Sequence, residues 1–310
     1  MPTATVREIA LRAGFSVAAV SKTLNSVEGT IRIGDETRQK ILEAARSLCY
    51  RPNDDIGLLV TPDYSYLDPL TARVLQGVQF EAQNRHSHVL CGLMSVGALP
   101  QIVRESCVGG VLFLHRAPEA MTSYLNDRGL PFVVINPDVE TESDCIVCDD
   151  HKGMSDALSH LYKQGCRRFV FMWPENNHPS YAKRLRAFTE FVTRRKLEHF
   201  VVSTQPDAAT AKHVREWLKT PQLTGFIIWE ELYPFILAQA ERAQLKQLRV
   251  VTVNDLLSAL FVPRVTSVRV PFLEMGREAV RMLIRKWNDN HAPMPSVTVT
   301  PELIVRESEF

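Results

Sequence analysis

Along the first fifty residues the apolar positions recur at helical spacing. Val6, Ile9, Ala10 and Ala13 form one stripe, and Gly14 follows at once. That spacing predicts an amphipathic helix, and a glycine in that place can end it in the left-handed conformation without a Cβ clash. Ser16 then offers a hydroxyl N-cap, and Val17–Asn25 resumes the pattern with Val20 and Leu24 inward. A third helix opens on Asp35-Glu36-Thr37-Arg38 and carries Ile41, Leu42, Ala45 and Leu48 on its apolar face. Two short helices joined by a turn containing glycine read as a helix-turn-helix, whose second helix enters the DNA major groove. The positions this register turns outward are Val17, Ala18, Ser21, Lys22 and Asn25, mostly small or polar, so a groove could admit them. A helical hairpin of an all-α domain would show the same periodicity. The N-terminal place and the third helix favour the DNA reading.

From Ile56 onward the pattern changes. Short continuous runs of Val, Ile, Leu and Phe alternate with amphipathic stretches. The runs are Ile56–Thr61, His88–Met94, Gly110–Leu114, Phe132–Asn136, Phe169–Trp173, Phe200–Ser203, Gly225–Trp229 and Arg249–Val253. Between them lie Leu70–Arg85, Met121–Arg128, Lys152–Gln164, Arg184–Arg195, Ala208–Leu218 and Pro234–Ala243. Apolar runs bounded by turns predict strands buried on both faces, and the alternation predicts parallel sheets with flanking helices. Eight such units exceed one comfortable sheet and point to two lobes.

Composition sharpens this only in part. At 45% hydrophobic and 23% charged over 310 residues, the chain is that of a soluble globular protein with more than one core. The net charge of +1 by itself does not suggest nucleic acid. Its distribution is more useful. Residues 1–53 hold eight Lys/Arg against five Asp/Glu, which leaves 28 against 30 for the remainder. A mildly basic head on a neutral-to-acidic body fits phosphate contact by the head alone. No basic-then-apolar leader and no apolar run near ~20 residues is present, so a cytoplasmic protein with no membrane partner is expected. The six cysteines are scattered, and buried free thiols are the default for such a chain. Cys145-Ile-Val-Cys148 has a metal-knuckle spacing, but in a strand those positions point to opposite faces. No second pair accompanies it, the histidines show no metal spacing, and the nucleophile-elbow, zincin, Walker and dinucleotide signatures are absent. No catalytic residue, metal or cofactor is expected, and an enzyme is the poorest of the readings.

The stretch TVREIALRAGFSVAAVSKTLN, followed by ETRQKILEAARSLCYRPN, closely resembles the headpiece of the lactose/galactose repressor family of bacterial transcription factors. The match runs from Thr5 to Asn53 and is highly specific; weaker similarity continues through the rest. The resemblance implies an all-α helix-turn-helix headpiece over residues 1–53. It also implies an α/β domain of two Rossmann-like lobes, of the periplasmic-binding-protein type, over 54–310. Lobe one would comprise about 55–147 and 271–290, and lobe two about 148–268 and 296–309. Cys148-Asp149-Asp150-His151-Lys152-Gly153 is similar to the family's crossover, Val265-Thr266-Ser267-Val268 to its return crossover, and Pro301–Ser308 to its C-terminal strand. No leucine heptad follows, so no tetramerisation coil is expected. There are two departures. The family's hinge, a helix of about a dozen residues, has no room here, because Asp54-Asp55 leads straight into Ile56. The segment from Cys91 to Gly109 is short, so the second helix of lobe one must be abbreviated.

The implied function is a ligand-responsive transcription regulator, a homodimer on roughly palindromic double-stranded operator DNA. Val17, Ala18 and Lys22 would read base edges; Thr5, Ser16, Ser21 and Asn25 would hold the backbone. Lys22 stands where the family often has Arg and would act as a point charge rather than a fork. In open parallel sheets ligands bind beyond the carboxyl ends of the strands, so two facing lobes would enclose a cleft. Tyr64, Trp173, Trp229, Glu230 and Asn254 follow strands and become candidate effector residues. Arg184, in Arg184-Leu185-Arg186-Ala187-Phe188, falls where the family places its effector-binding arginine, with Ala187 in place of a glycine. Aromatics with several hydrogen-bonding groups suit a sugar-like effector. For Glu230 and the adjacent Glu231, a solvated helix start is an equal alternative. The competing reading from another class is a small-molecule binding protein with a vestigial head.

Overall fold

The computed structural model describes residues 5–25, 33–48, 55–61, 68–94, 100–104, 108–173, 178–203, 206–245, 248–288 and 292–306. The first three helices, α1 (Val6–Ala13), α2 (Val17–Asn25) and α3 (Asp35–Ser47), make the headpiece. Its core is Ile9, Ala10, Val20, Ile41, Ala44 and Ala45, flanked by Val6, Ala13, Phe15, Leu24 and Leu48. Ile9, Val20 and Ile41 are fully buried, each stabilising by about 1.5–3 kcal/mol. One such side chain from each helix explains how so short a segment holds together. Gly14 ends α1 at φ 75°, and its N–H reaches the Ala10 carbonyl at 3.0 Å.

The remainder forms lobes of strand and helix. Lobe one contains β1 (Ile56–Val60), α4 (Pro69–Gln83), β2 (Val89–Leu93), α5 (Gln101–Arg104), β3 (Gly110–Leu114), α6 (Glu119–Asp127), β4 (Phe132–Ile135) and β5 (Cys145–Cys148). Lobe two follows with α7 (Asp150–Lys163), β6 (Arg168–Met172), α8 (Pro179–Arg194), β7 (Glu198–Val202), α9 (Ala208–Lys219), β8 (Thr224–Trp229), α10 (Tyr233–Arg242), β9 (Arg249–Asn254) and β10 (Thr266–Arg269). The chain returns to lobe one with α11 (Phe272–Asn288), then adds β11 (Val297–Val299) and β12 (Glu302–Ile304). By contacts it divides into Met1–Val147 with Phe272–Val297, and Cys148–Pro271 with Thr298–Phe310.

Sheet one runs β11-β5-β4-β3-β1-β2 and sheet two β12-β10-β9-β8-β6-β7. The pairs of β1 with β2 and β3, and of β6 with β7 and β8, are parallel; β12 closes sheet two antiparallel to β10. All eight strand runs read from the sequence are present, within two residues at each start. The central strands β1, β3 and β6 are buried throughout, as continuous apolar runs require. The edge strands β2 and β7 are not. That corrects one expectation: Cys91 is an exposed thiol, because β2 is an edge, while Cys145, Cys148 and Cys166 are buried thiols outside any disulfide. As the short segment after Cys91 implied, α5 has only four residues.

In lobe one α11 crosses α4 with backbone against backbone. A side chain at Gly77 would overlap the Leu273 carbonyl, and one at Gly276 the Val74 carbonyl. Arg281 ties the crossing, donating to Glu278 at 2.6 Å, Glu274 at 2.9 Å and the buried Glu81 at 3.0 Å. Trp287, 2% exposed, donates its indole N–H to the Gly109 carbonyl at 2.9 Å. The return segment is thus a structural element of lobe one.

Asp55 already belongs to lobe one. Its carboxylate accepts the His88 N–H at 2.9 Å, and its carbonyl accepts from Gly109 at 2.8 Å. Asp54, where the resemblance places the start of the family's hinge, lies with the rest of 49–54 outside the described residues.

Candidate functional site

The headpiece presents its second helix through two caps. Thr5 opens α1 with a capping box: its hydroxyl accepts from the Glu8 N–H at 3.3 Å, and the Glu8 carboxylate accepts the Thr5 N–H at 2.6 Å. The Glu8 carboxylate also accepts from the Thr5 hydroxyl at 2.9 Å, and the two bonds it accepts favour its ionised form, so the Glu8 pKa is lowered, chiefly by the Thr5 backbone. Ser16 caps α2, accepting the Ala19 N–H at 3.2 Å. Val20 then faces the core, and the rest of the register follows. Val17 is 47% exposed, Ala18 is exposed, and Ser21 and Lys22 are half-buried. The side chain of Asn25 lies outside the described residues. An apolar residue as open as Val17, beside Ala18 on a capped helix, is a surface that can meet a thymine methyl or a base edge.

In lobe two the carboxyl ends of the strands gather aromatic and charged side chains. Trp173, just after β6, is 4% exposed and stacks on Trp229 at the end of β8, with centroids 5.6 Å apart and planes at 20°. Phe171 continues the stack at 6.1 Å. Arg184, on α8, sets its guanidinium 5.0 Å from the Trp173 ring centroid. Its Nε donates to Oδ1 of Asp150 at 2.8 Å, with side-chain exposures of 9% and 4%. Asp149 caps α7 by accepting the Lys152 N–H at 2.9 Å, which leaves Asp150 to turn into the lobe. The adjacent acids therefore have separate tasks.

Glu230 stands in a short 3-10 turn, Glu230–Leu232, and is 2% exposed. Its oxygens accept from the backbone N–H groups of Leu256, Leu257 and Ser258 at 3.2, 2.8 and 3.2 Å, and from the Ser258 hydroxyl at 2.9 Å. Burial raises its pKa against the pull of those four donors. The carboxylate thus fixes the loop after β9; its partners lie 26–28 residues away, beyond the reach of local spacing. Asn254 and Asp255 are both left-handed, at φ 97° and 58°. Asp255 is held by Arg306 and Arg269, so the turn keeps its shape and sets Asn254 half-exposed at the strand end. Tyr64 lies outside the described residues. Trp173, Trp229, Arg184 and Asn254 therefore share one end of sheet two, while Glu230 supports that end from behind. The residue missed from the sequence is Asp150.

Residues 5–53 match the family of bacterial regulatory proteins, lacI family, and residues 158–309 match the periplasmic binding protein-like domain. The headpiece is thus that of the lacI family, joined to a periplasmic binding protein-like domain. Over 332 residues it is 25% identical to the HTH-type transcriptional repressor CytR of Escherichia coli (strain K12), covering 98% of this chain and 96% of that one. The transcriptional regulator CelR in its cellobiose complex superposes with a TM-score of 0.64 at 22% identity, covering 98% and 99% of the two chains. The lac repressor dimer bound to operator and an anti-inducer superposes at 0.63 and 15% identity, covering 99% of each. The protein is a DNA-binding transcription regulator with a periplasmic-binding-protein-like α/β body. No helix among the described residues is long and apolar enough to cross a membrane, and no cluster of metal-ligating side chains occurs among them.

Proposed function

We propose that the chain represses or activates transcription as a homodimer whose α2 helices enter successive major grooves, and that a neutral, sugar-like effector adjusts this binding. The observation that carries the DNA half is the outward face of α2, capped by Ser16 and held by Val20 in the Ile9–Ile41 core. In this reading Val17, Ala18 and Lys22 meet base edges, while Thr5, Ser16, Ser21 and Asn25 set the register on phosphates. The Ser16 hydroxyl only accepts in its cap, so its O–H can still donate to a phosphate, whereas the Thr5 hydroxyl and N–H are both engaged by Glu8. The effector would sit against Trp229 and Asn254, with Arg184 behind them. A stacked indole pair suits the apolar face of a pyranose or a planar ring, and relatives include a cellobiose complex. In this reading the protein acts by binding, in keeping with relatives that are transcription regulators.

Selection of bound fragments from random DNA, with and without a panel of neutral sugars, tests the whole. A palindromic consensus with half-sites about one helical turn apart is expected. A head that enriches no sequence at any salt concentration would point instead to a binding protein with a vestigial head.

A further inference from the structure

Arg184 sets a guanidinium beside Trp173 at the proposed ligand-facing end of lobe two, yet it does not act there as a free charge. Asp150 enters from the first turn of α7 and takes Nε at 2.8 Å. Both side chains are more than nine-tenths buried. Around them lie Cys148, Met154, Val253, Val268 and Pro301, lining a cavity of about 10 Å³, room for no more than a single water. In surroundings this apolar, water screens little, and the pair presents close to zero net charge. Among the described residues the terminal Nη groups carry no hydrogen bond, so they stay available as donors. A hydroxyl or carbonyl oxygen can accept from them at no electrostatic cost. A phosphate or carboxylate would meet the Asp150 charge through the same guanidinium, with no uncompensated cation to receive it.

We propose that Asp150 is the specificity-determining residue that restricts this site to uncharged effectors by neutralising Arg184 in advance. The inference rests on the reading of lobe two as the effector site. It also makes a reversal possible. Asp150→Asn removes the counter-charge, leaves a buried guanidinium uncompensated, and turns the same pocket into one that prefers anions.

The test uses the full-length protein and matched probes: ribose with ribose 5-phosphate, glucose with glucose 6-phosphate, and cellobiose with cellobionate. Binding is followed by calorimetry and by the fluorescence of the stacked tryptophans. For any neutral probe that binds, its anionic partner is expected to bind the wild type about tenfold or more weakly. In Asp150→Asn that ratio should shift toward the anion by a similar factor, and Asp150→Glu should keep the wild-type order. Wild-type protein that prefers the anion, or the same ratio in folded Asp150→Asn as in wild type, overturns the proposal and leaves the effector site standing. If Asp150→Asn does not fold, the wild-type and Asp150→Glu ratios decide alone. Failure of every probe on the wild type overturns the effector reading, and the charge rule falls with it.

Discussion

Arg306 closes on Asp255 with both ends of its guanidinium, Nη1 to Oδ1 at 2.6 Å and Nη2 to Oδ2 at 3.0 Å. The two are 51 residues apart, and their side chains are 11% and 2% exposed. Nη1 also donates to the Val265 carbonyl at 2.9 Å. The clamp joins the second residue after β12 to the left-handed turn that displays Asn254, so the C-terminal strand holds the carboxyl end of sheet two in shape. Removing Arg306 strips the bidentate partner from the buried Asp255 carboxylate and leaves it only the more exposed Arg269. Arg306→Ala should therefore destabilise lobe two by about 3 kcal/mol. Urea unfolding followed by tryptophan fluorescence measures it, and a midpoint within error of wild type would show the clamp to be idle.

A methyl group at Gly77 has nowhere to go, because the Leu273 backbone fills its place. Gly77→Ala should cost about 1–3 kcal/mol or more by overpacking, although alanine favours an isolated helix. A thermal melt of equal or higher midpoint would mean that α4 and α11 can separate freely.

The capping box of α1 is sensitive to acid. The Glu8 pKa is depressed in the folded state by its bonds to Thr5. Folding thus gains from the ionised form above the ordinary glutamate pKa, and that gain fades as pH falls through the lower, folded value. Wild-type headpiece should lose helicity on acidification more than Glu8→Gln, which has no such charge to lose. Parallel acid titrations of the two by circular dichroism would disprove the effect.

Lys22→Ala should weaken binding to the selected operator by about 1–3 kcal/mol, roughly 5–150-fold, and binding to random duplex far less. Competitive gel shifts at fixed salt read both. Equal losses would place Lys22 on the backbone rather than a base.

Glu230→Ala orphans three backbone N–H groups at the start of the loop after β9. It should destabilise lobe two by about 1–3 kcal/mol or more, with Ser258→Ala milder. If effector affinity fell while the unfolding midpoint stayed put, Glu230 would be a ligand contact instead of a support.

Much of this was legible in the residues. The period of three to four in Val6–Ala13 and Val17–Leu24, with Gly14 between them, determined the headpiece, since local spacing alone decides which face of a helix is apolar. The apolar runs determined the parallel sheets for the same reason: strands covered on both sides have no polar positions to spare. What the spacing could not carry was pairing across the fold. Adjacency does not say where Asp149 and Asp150 point: a helix start sends one carboxylate to its own backbone and the other to Arg184, 34 residues away. Glu230 read equally well as ligand contact or solvated helix start, until the loop at 256–258 was found to donate to it. The exposure of Cys91 likewise followed from β2 lying at an edge, which strand order decides and strand composition does not. Periodicity is a local property, readable from a few turns of chain; the partner of a buried charge is set by which distant segments the sheets bring together.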